Sequence, residues 1–229
     1  MAANESLAAN FCALKTGYRH LDSARLYNSE CPCGESIRQS GIARSEVFMT
    51  SKVFQGGYAE TKAAVADSLK DSGLDYLDLY LIHTPYGGPE TRKGAWRALV
   101  EAQKEGKVRS IGVSNYGVQH LEETENYIME LERELGKGNG GVLIVGQWEL
   151  HPWMPRRDIV AWCQDRDIVV EAYCPLTRGK RFNEPVLQPL IKKYNKSAAQ
   201  ILLRWSLQKI RLHRPLLQFL LEFSGEVTD

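Results

Sequence analysis

A strand-like segment returns about every 31 residues along this chain, with helix-like stretches between, and no other feature of the sequence narrows the fold as much. Six segments rich in Val, Ile, Leu and Tyr and bounded by polar residues read as buried strands. They are residues 18–24 (YRHLDSA), 47–53 (VFMTSKV), 77–83 (LDLYLIH), 108–114 (VRSIGVS), 142–148 (VLIVGQW) and 167–173 (DIVVEAY). One polar residue near the end of each marks the period. Asp22, Lys52, His83, Ser114, Gln147 and Tyr173 succeed one another at steps of 30, 31, 31, 33 and 26 residues. Among the stretches between them, residues 60–72 (ETKAAVADSLKDS) put Ala64, Leu69 and nearby small residues on one face and stop at Gly73, where a C-cap is wanted. Residues 93–105 carry Trp96, Leu99 and Val100 in an i, i+3, i+4 stripe and stop at Gly106. Ile159, Trp162 and Cys163 repeat the pattern in a helix opened by Pro155.

Alternating strands and helices imply parallel strands joined by helical crossovers. So regular a unit fits an α/β fold of the (β/α)8 TIM-barrel type better than an open doubly wound sheet, which remains the alternative on periodicity alone. Six units are visible where eight close a barrel. The chain opens inside a helix with Leu7, Phe11 and Leu14 on one face and Gly17 at its end, and no strand comes before it. At the other end, residues 197–208 (SAAQILLRWSLQ) form an amphipathic helix, but residues 209–229 (KIRLHRPLLQFLLEFSGEVTD) do not read as strand, loop and helix. The expectation is an incomplete barrel, its first and last strands missing or replaced, folded as one domain over residues 1–229. A truncated gene model with a tail from different coding sequence would account for it, and the Leu-rich residues 216–223 would then partly cover the gap.

Composition excludes several other classes. Over 229 residues, 29 Lys and Arg balance 28 Asp and Glu to a formal charge of +1, which offers no strongly basic face to nucleic acid. No run approaches the roughly 18 consecutive apolar residues of a membrane helix. Residues 1–16 lack the basic start and long apolar core of a secretory signal. Five cysteines without a repeating spacing read as reduced thiols. A cytoplasmic, monomeric protein with a small-molecule partner is expected.

In a barrel the chemistry sits at the C-terminal ends of the strands. Asp22, Lys52, His83, Ser114, Asn115, Gln147 and Tyr173 fall there, with Tyr27 in the loop just beyond Asp22. A tyrosine, a lysine, a carboxylate and an imidazole at one mouth suggest proton delivery to a carbonyl. Free tyrosine, with a pKa of about 10, is a poor acid near neutrality, and a neighbouring ammonium stabilises tyrosinate. A carboxylate would hold that ammonium charged and in place, and a histidine could orient the substrate oxygen. Taken singly, Asp22 and Lys52 could be a barrel-end salt bridge and His83 a core histidine. Polar residues in phase at six successive strand ends are more than packing requires.

These residues lie in motifs that resemble those of the aldo-keto reductase family. The stretch at 17–30 (GYRHLDSARLYNSE), followed by GESI at 34–37, resembles its signature. TSK at 50–52, LIHTP at 81–85, GVSN at 112–115, QWELHP at 147–152 and AYCPL at 172–176 keep the family's order and spacing, so the resemblance spans about residues 10–208. It implies that Tyr27 is the general acid, Lys52 its partner, Asp22 the anchor of Lys52 and His83 the residue that orients the carbonyl. It further implies that Ser114, Asn115 and Gln147 hydrogen-bond a nicotinamide carboxamide and that Tyr173 stacks on the ring. The reaction implied is hydride transfer from NADPH to an aldehyde or ketone, without a metal. The family's Gly-rich first strand is absent, and residues 210–215 (IRLHRP) do not match its Pro-Lys-Ser and Arg segment, which binds the 2′-phosphate of NADPH. The second reading is therefore an impaired or inactive barrel fragment that serves at most as a nucleotide-binding or interaction module.

Two motifs are set aside. GKGNGG at 136–141 matches G-x-G-x-x-G but precedes a strand instead of following one, so it reads as a loop. Cys31-Pro-Cys33 is too tightly spaced for the usual zinc knuckle and has no second pair nearby. The acidic stretch 122–134 reads as a solvated helix face.

Overall fold

Each strand in the computed structural model runs parallel to its paired neighbours and is followed by a helix, as an uninterrupted alternation of the two requires. The structure describes residues 3–210, so the expectations placed on 211–229, including Arg211, Arg214 and the Leu-rich run, lie outside it. The described residues divide into two compact units at residues 144 and 145.

The first unit opens with helix α1 (Ala3–Lys15) and then alternates β1 (His20–Asp22), α2 (Glu30–Ser40), β2 (Phe48–Val53), α3 (Tyr58–Ser72), β3 (Leu77–Ile82), α4 (Pro89–Lys104), β4 (Val108–Ser114) and α5 (Val118–Leu135). β1 pairs with β2 from His20↔Phe48 to Asp22↔Thr50, β2 with β3 from Thr50↔Leu79 to Val53↔Ile82, and β3 with β4 from Leu77↔Val108 to Ile82↔Val113. β3 is buried at every position, which explains why a parallel strand covered on both faces reads as an unbroken apolar run. Buried aromatic residues find partners for their polar atoms. The Tyr80 hydroxyl lies 2.8 Å from Ser68 Oγ on α3, and the Trp96 indole N–H donates to the Gly140 carbonyl at 3.0 Å. The GKGNGG stretch is thus a loop, exposed at residues 136–138 and packed only toward its end, at Gly140.

Neighbouring helices pack on one another in chain order. The buried face of α3 is Thr61, Val65, Ser68 and Ser72, with Ala64 and Leu69 only half-buried. Small residues are required because α2 comes very close: a β-carbon added at Gly34 would lie 1.8 Å from the Ser72 carbonyl oxygen. Gly73, at φ 62°, ends α3 with its N–H on the Leu69 carbonyl at 2.9 Å, and the Arg38 guanidinium covers the Ser72 and Gly73 carbonyls. Acidic residues of α5 pair with basic residues of α4, as Glu123–Arg92, Glu130–Lys93 and Glu134–Arg97.

The second unit contains β5 (Val145–Glu149), α6 (Arg157–Gln164), β6 (Val169–Tyr173), α7 (Gln188–Tyr194) and α8 (Ala198–Lys209). β5 and β6 are parallel, from Val145↔Val169 to Glu149↔Tyr173. Ile159, Trp162 and Cys163 form the buried stripe of α6, whose first residue is Arg157 and not Pro155, because Arg156 takes a left-handed conformation at the N-cap. α8 starts on a capping box in which Ser197 and Gln200 each accept from the other's backbone N–H. Among the described residues, no helix is long and apolar enough to cross a membrane.

Candidate active site

Four residues of the first unit converge where β1, β2 and β3 end. Lys52, the penultimate residue of β2, is completely buried, and its ammonium donates to the Asp22 carboxylate at the end of β1 and to the Ser23 carbonyl at 2.9 Å. Two anionic or dipolar acceptors offset the cost of removing that charge from water. The chain then turns through a single 3-10 turn, Arg25–Tyr27, closed by Asn28 at φ 51°. Tyr27 emerges from this turn with its ring centroid 5.2 Å from Lys52 Nζ and about half its surface exposed.

His83 follows β3 directly and continues its ladder, its N–H donating to the Val53 carbonyl at 2.8 Å. Its Nε2 lies 3.3 Å from the Tyr27 hydroxyl, and the two rings meet edge to face at 5.5 Å. His83 is 9% exposed, and its Nδ1 has no hydrogen-bond partner. Burial first, and then the Lys52 ammonium, push its pKa down to about 4, with Asp22 pulling the other way. The imidazole is neutral at ordinary pH. We assign its proton to Nε2, since a buried N–H at Nδ1 would have nothing to donate to.

Ser114 ends β4, and Asn115 follows at φ 62°, a left-handed conformation that asparagine tolerates better than most residues. The Asn115 side-chain amide donates to the His83 carbonyl and to Ser114 Oγ, both at 3.0 Å. The first unit therefore brings Asp22, Tyr27, Lys52, His83, Ser114 and Asn115 to the ends of adjacent strands. Gln147 and Tyr173 belong to the second unit. Gln147, in β5, donates its side-chain amide to Glu171 at 2.9 Å, and Tyr173 ends β6. Burial, followed by Glu149, raises the Tyr173 pKa.

Two aromatic neighbours escaped the sequence reading. Phe54 meets the His83 ring at 6.0 Å and the Tyr86 ring at 6.4 Å, both edge to face. Each lies two or three residues beyond a strand-end polar residue, so following the chain past Lys52 and His83 would have found them. The Thr84 hydroxyl donates to the Phe54 carbonyl at 2.8 Å and ties the two loops together. Among the described residues, no three His, Cys, Asp or Glu side chains gather as metal ligands would. Cys31 is exposed, whereas Cys33 is buried and its thiol is pushed up to about 11 by burial.

A profile of the aldo/keto reductase family matches residues 1–221, a wider span than the motif run at 10–208. A protein of Schizosaccharomyces pombe described as an uncharacterized oxidoreductase is 44% identical over 203 residues, which are 86% of this chain and 68% of the relative. The glyoxal reductase of Bacillus subtilis is 42% identical over 207 residues, 90% of this chain and 70% of the relative. Among solved structures, an aldo/keto reductase from Brucella melitensis matches with a TM-score of 0.78 at 38% identity, covering 90% of this chain and 76% of that one. The strand–helix repeats are thus those of a partial (β/α)8 barrel, with six strands among the described residues. Likeness of this length and identity marks kinship and not fold alone: the chain belongs to the aldo-keto reductase family, a family of carbonyl-reducing oxidoreductases.

Proposed function

We propose that the chain reduces an aldehyde or ketone to an alcohol with NADPH as the hydride donor and Tyr27 as the proton donor. The observation that carries this reading is the Tyr27 hydroxyl 3.3 Å from His83 Nε2, with the buried ammonium of Lys52 5.2 Å from the same ring. A carbonyl oxygen reaching the exposed side of Tyr27 meets two donors, the phenol O–H and the Nε2–H of a neutral imidazole. Both strengthen their bonds as negative charge grows on that oxygen. When the phenol gives up its proton, Lys52 stabilises the charge left behind, an attraction of about 3 kcal/mol at 5 Å and an effective dielectric constant of about 20. Asp22 and the Ser23 carbonyl keep the ammonium from swinging away.

The donor set supports a nicotinamide cofactor. Ser114 supplies a hydroxyl, Asn115 and Gln147 supply carboxamides suited to pairing with another carboxamide, and Tyr173 supplies a flat face. NADPH, when bound, supplies the hydride; the chain's own residues hold the carboxamide and deliver the proton. The relative named as a glyoxal reductase supports a small dicarbonyl as substrate. Five cysteines without a repeating spacing support a reducing, cytoplasmic setting, where the thiols would stay free.

Tyr27→Phe tests the reading. Turnover of glyoxal with NADPH should fall at least about 100-fold, the order expected when a general acid is removed, while NADPH still binds in a fluorescence titration. Unchanged turnover would refute the assignment.

A further inference from the structure

The turn that carries Tyr27 is a single 3-10 turn, too short to hold a side chain by its own two backbone bonds, Tyr27 N–H to Ala24 and Asn28 N–H to Arg25. Its side-chain anchor is Arg25. Nη1 of this residue donates to Glu30 Oε2 and to Asp71 Oδ2, both at 2.5 Å, and Nη2 lies 3.9 Å from Asp67 on the same helix, α3. Glu30 is the first residue of α2 and is 3% exposed. Its other oxygen, Oε1, accepts from the hydroxyl of Ser51, which is wholly buried on β2 beside Lys52. A carboxylate this deep is costly unless donors surround it. Here one donor sits a single residue before Lys52 and the other two residues before Tyr27.

From this bridge we propose that Glu30, acting through Arg25 and Ser51, positions Tyr27 over the Lys52 ammonium. It is a positioning residue that touches no reactant, and its role rests on Tyr27 being the acid as argued above. One carboxylate spans the strand that carries the ammonium and the turn that carries the phenol, so its two oxygens, with the direct bond of Lys52 to the Ser23 carbonyl, set the separation of those two groups. The outer carboxylates Asp71 and Asp67 keep Arg25 from following solvent.

The test uses the full 229-residue chain with glyoxal and NADPH. Glu30→Gln keeps an acceptor for Ser51 but turns an amide N–H2 toward the guanidinium, donor against donor. It should lower kcat about 10- to 100-fold, as misplacement of a reacting group by an ångström does, with the KM for NADPH within about twofold of the original. The alkaline limb of kcat/KM should move to higher pH, because tyrosinate farther from Lys52 is less stabilised. Asp71→Asn, a change at a half-exposed site that the fold tolerates more readily, should shift the same limb in the same direction with a smaller loss of kcat; it decides the matter if Glu30→Gln does not fold. An unmoved limb overturns the proposal, whether kcat falls or only the melting temperature does, since Tyr27 has then kept its place. Tyr27→Phe runs alongside: if it turns over at the unaltered rate, or the unaltered chain reduces no glyoxal, the reading of the site fails and takes the proposal with it.

Discussion

Burial and a neighbouring ammonium hold His83 near pKa 4 against an ordinary value of 6.5, so the unfolded chain binds this proton more tightly than the folded one. The stability that a neutral His83 confers is complete above pH 6.5 and is lost as pH falls toward 4, by at most about 3 kcal/mol. Urea unfolding from pH 7 to 4 should therefore show a steeper loss for the native chain than for His83→Gln, and equal slopes would mean that the imidazole is not held neutral. His83, Lys52 and Asp22 were legible in the sequence because strand ends recur in phase. Phe54 and Tyr86 were not, although the same loops carry them, because aromatic residues near a strand end read equally well as packing. Arg25 and Glu30 were invisible for another reason. They fall inside the 17–30 stretch that resembles the family signature, but the partners that give them meaning, Ser51 and Asp71, lie 21 and 46 residues away.

Element boundaries show what periodicity captures and what it leaves out. β4 occupies 108–114 as the apolar run indicates, whereas β1 is only His20–Asp22 instead of 18–24. Tyr18 is 66% exposed, and Ser23 and Ala24 already lead into the turn of Tyr27. β5 starts at Val145 and not at residue 142, since Val142 is 63% exposed in spite of its apolar side chain. On α3 the small residues expected on the inner face are buried there as Ser68 and Ser72, while Ala64 and Leu69 are only half-buried, because the contact with α2 is set by close approach and not by bulk. Gly34 tests that contact. Gly34→Ala would drive a methyl group into the Ser72 carbonyl, and its urea unfolding should lose about 1–3 kcal/mol of stability as α2 and α3 part. A loss under about 0.5 kcal/mol, the range of an innocuous surface change, would mean the helices separate freely.

At the scale of the molecule, the residues proposed for proton delivery come from the first unit, and Gln147 and Tyr173, proposed to hold the cofactor, come from the second. Their effects should separate. Tyr173→Ala should weaken NADPH binding about tenfold, the loss of roughly 1.4 kcal/mol of ring contact, while leaving the alkaline limb of kcat where Tyr27 and Lys52 set it. Loss of that limb in Tyr173→Ala would place Tyr173 in proton transfer instead. The two sets of charged residues also differ in how they answer their surroundings. Two of the pairs between α4 and α5, Lys93 with Glu130 and Arg97 with Glu134, face solvent, and dissolved ions mask them within about 10 Å at 0.1 M. The ammonium enclosed between Asp22 and the Ser23 carbonyl has no such bath around it. With the ammonium wholly buried but Asp22 and the phenol reaching solvent, its positive field at Tyr27 should weaken less as salt rises than the outer rows of charge do.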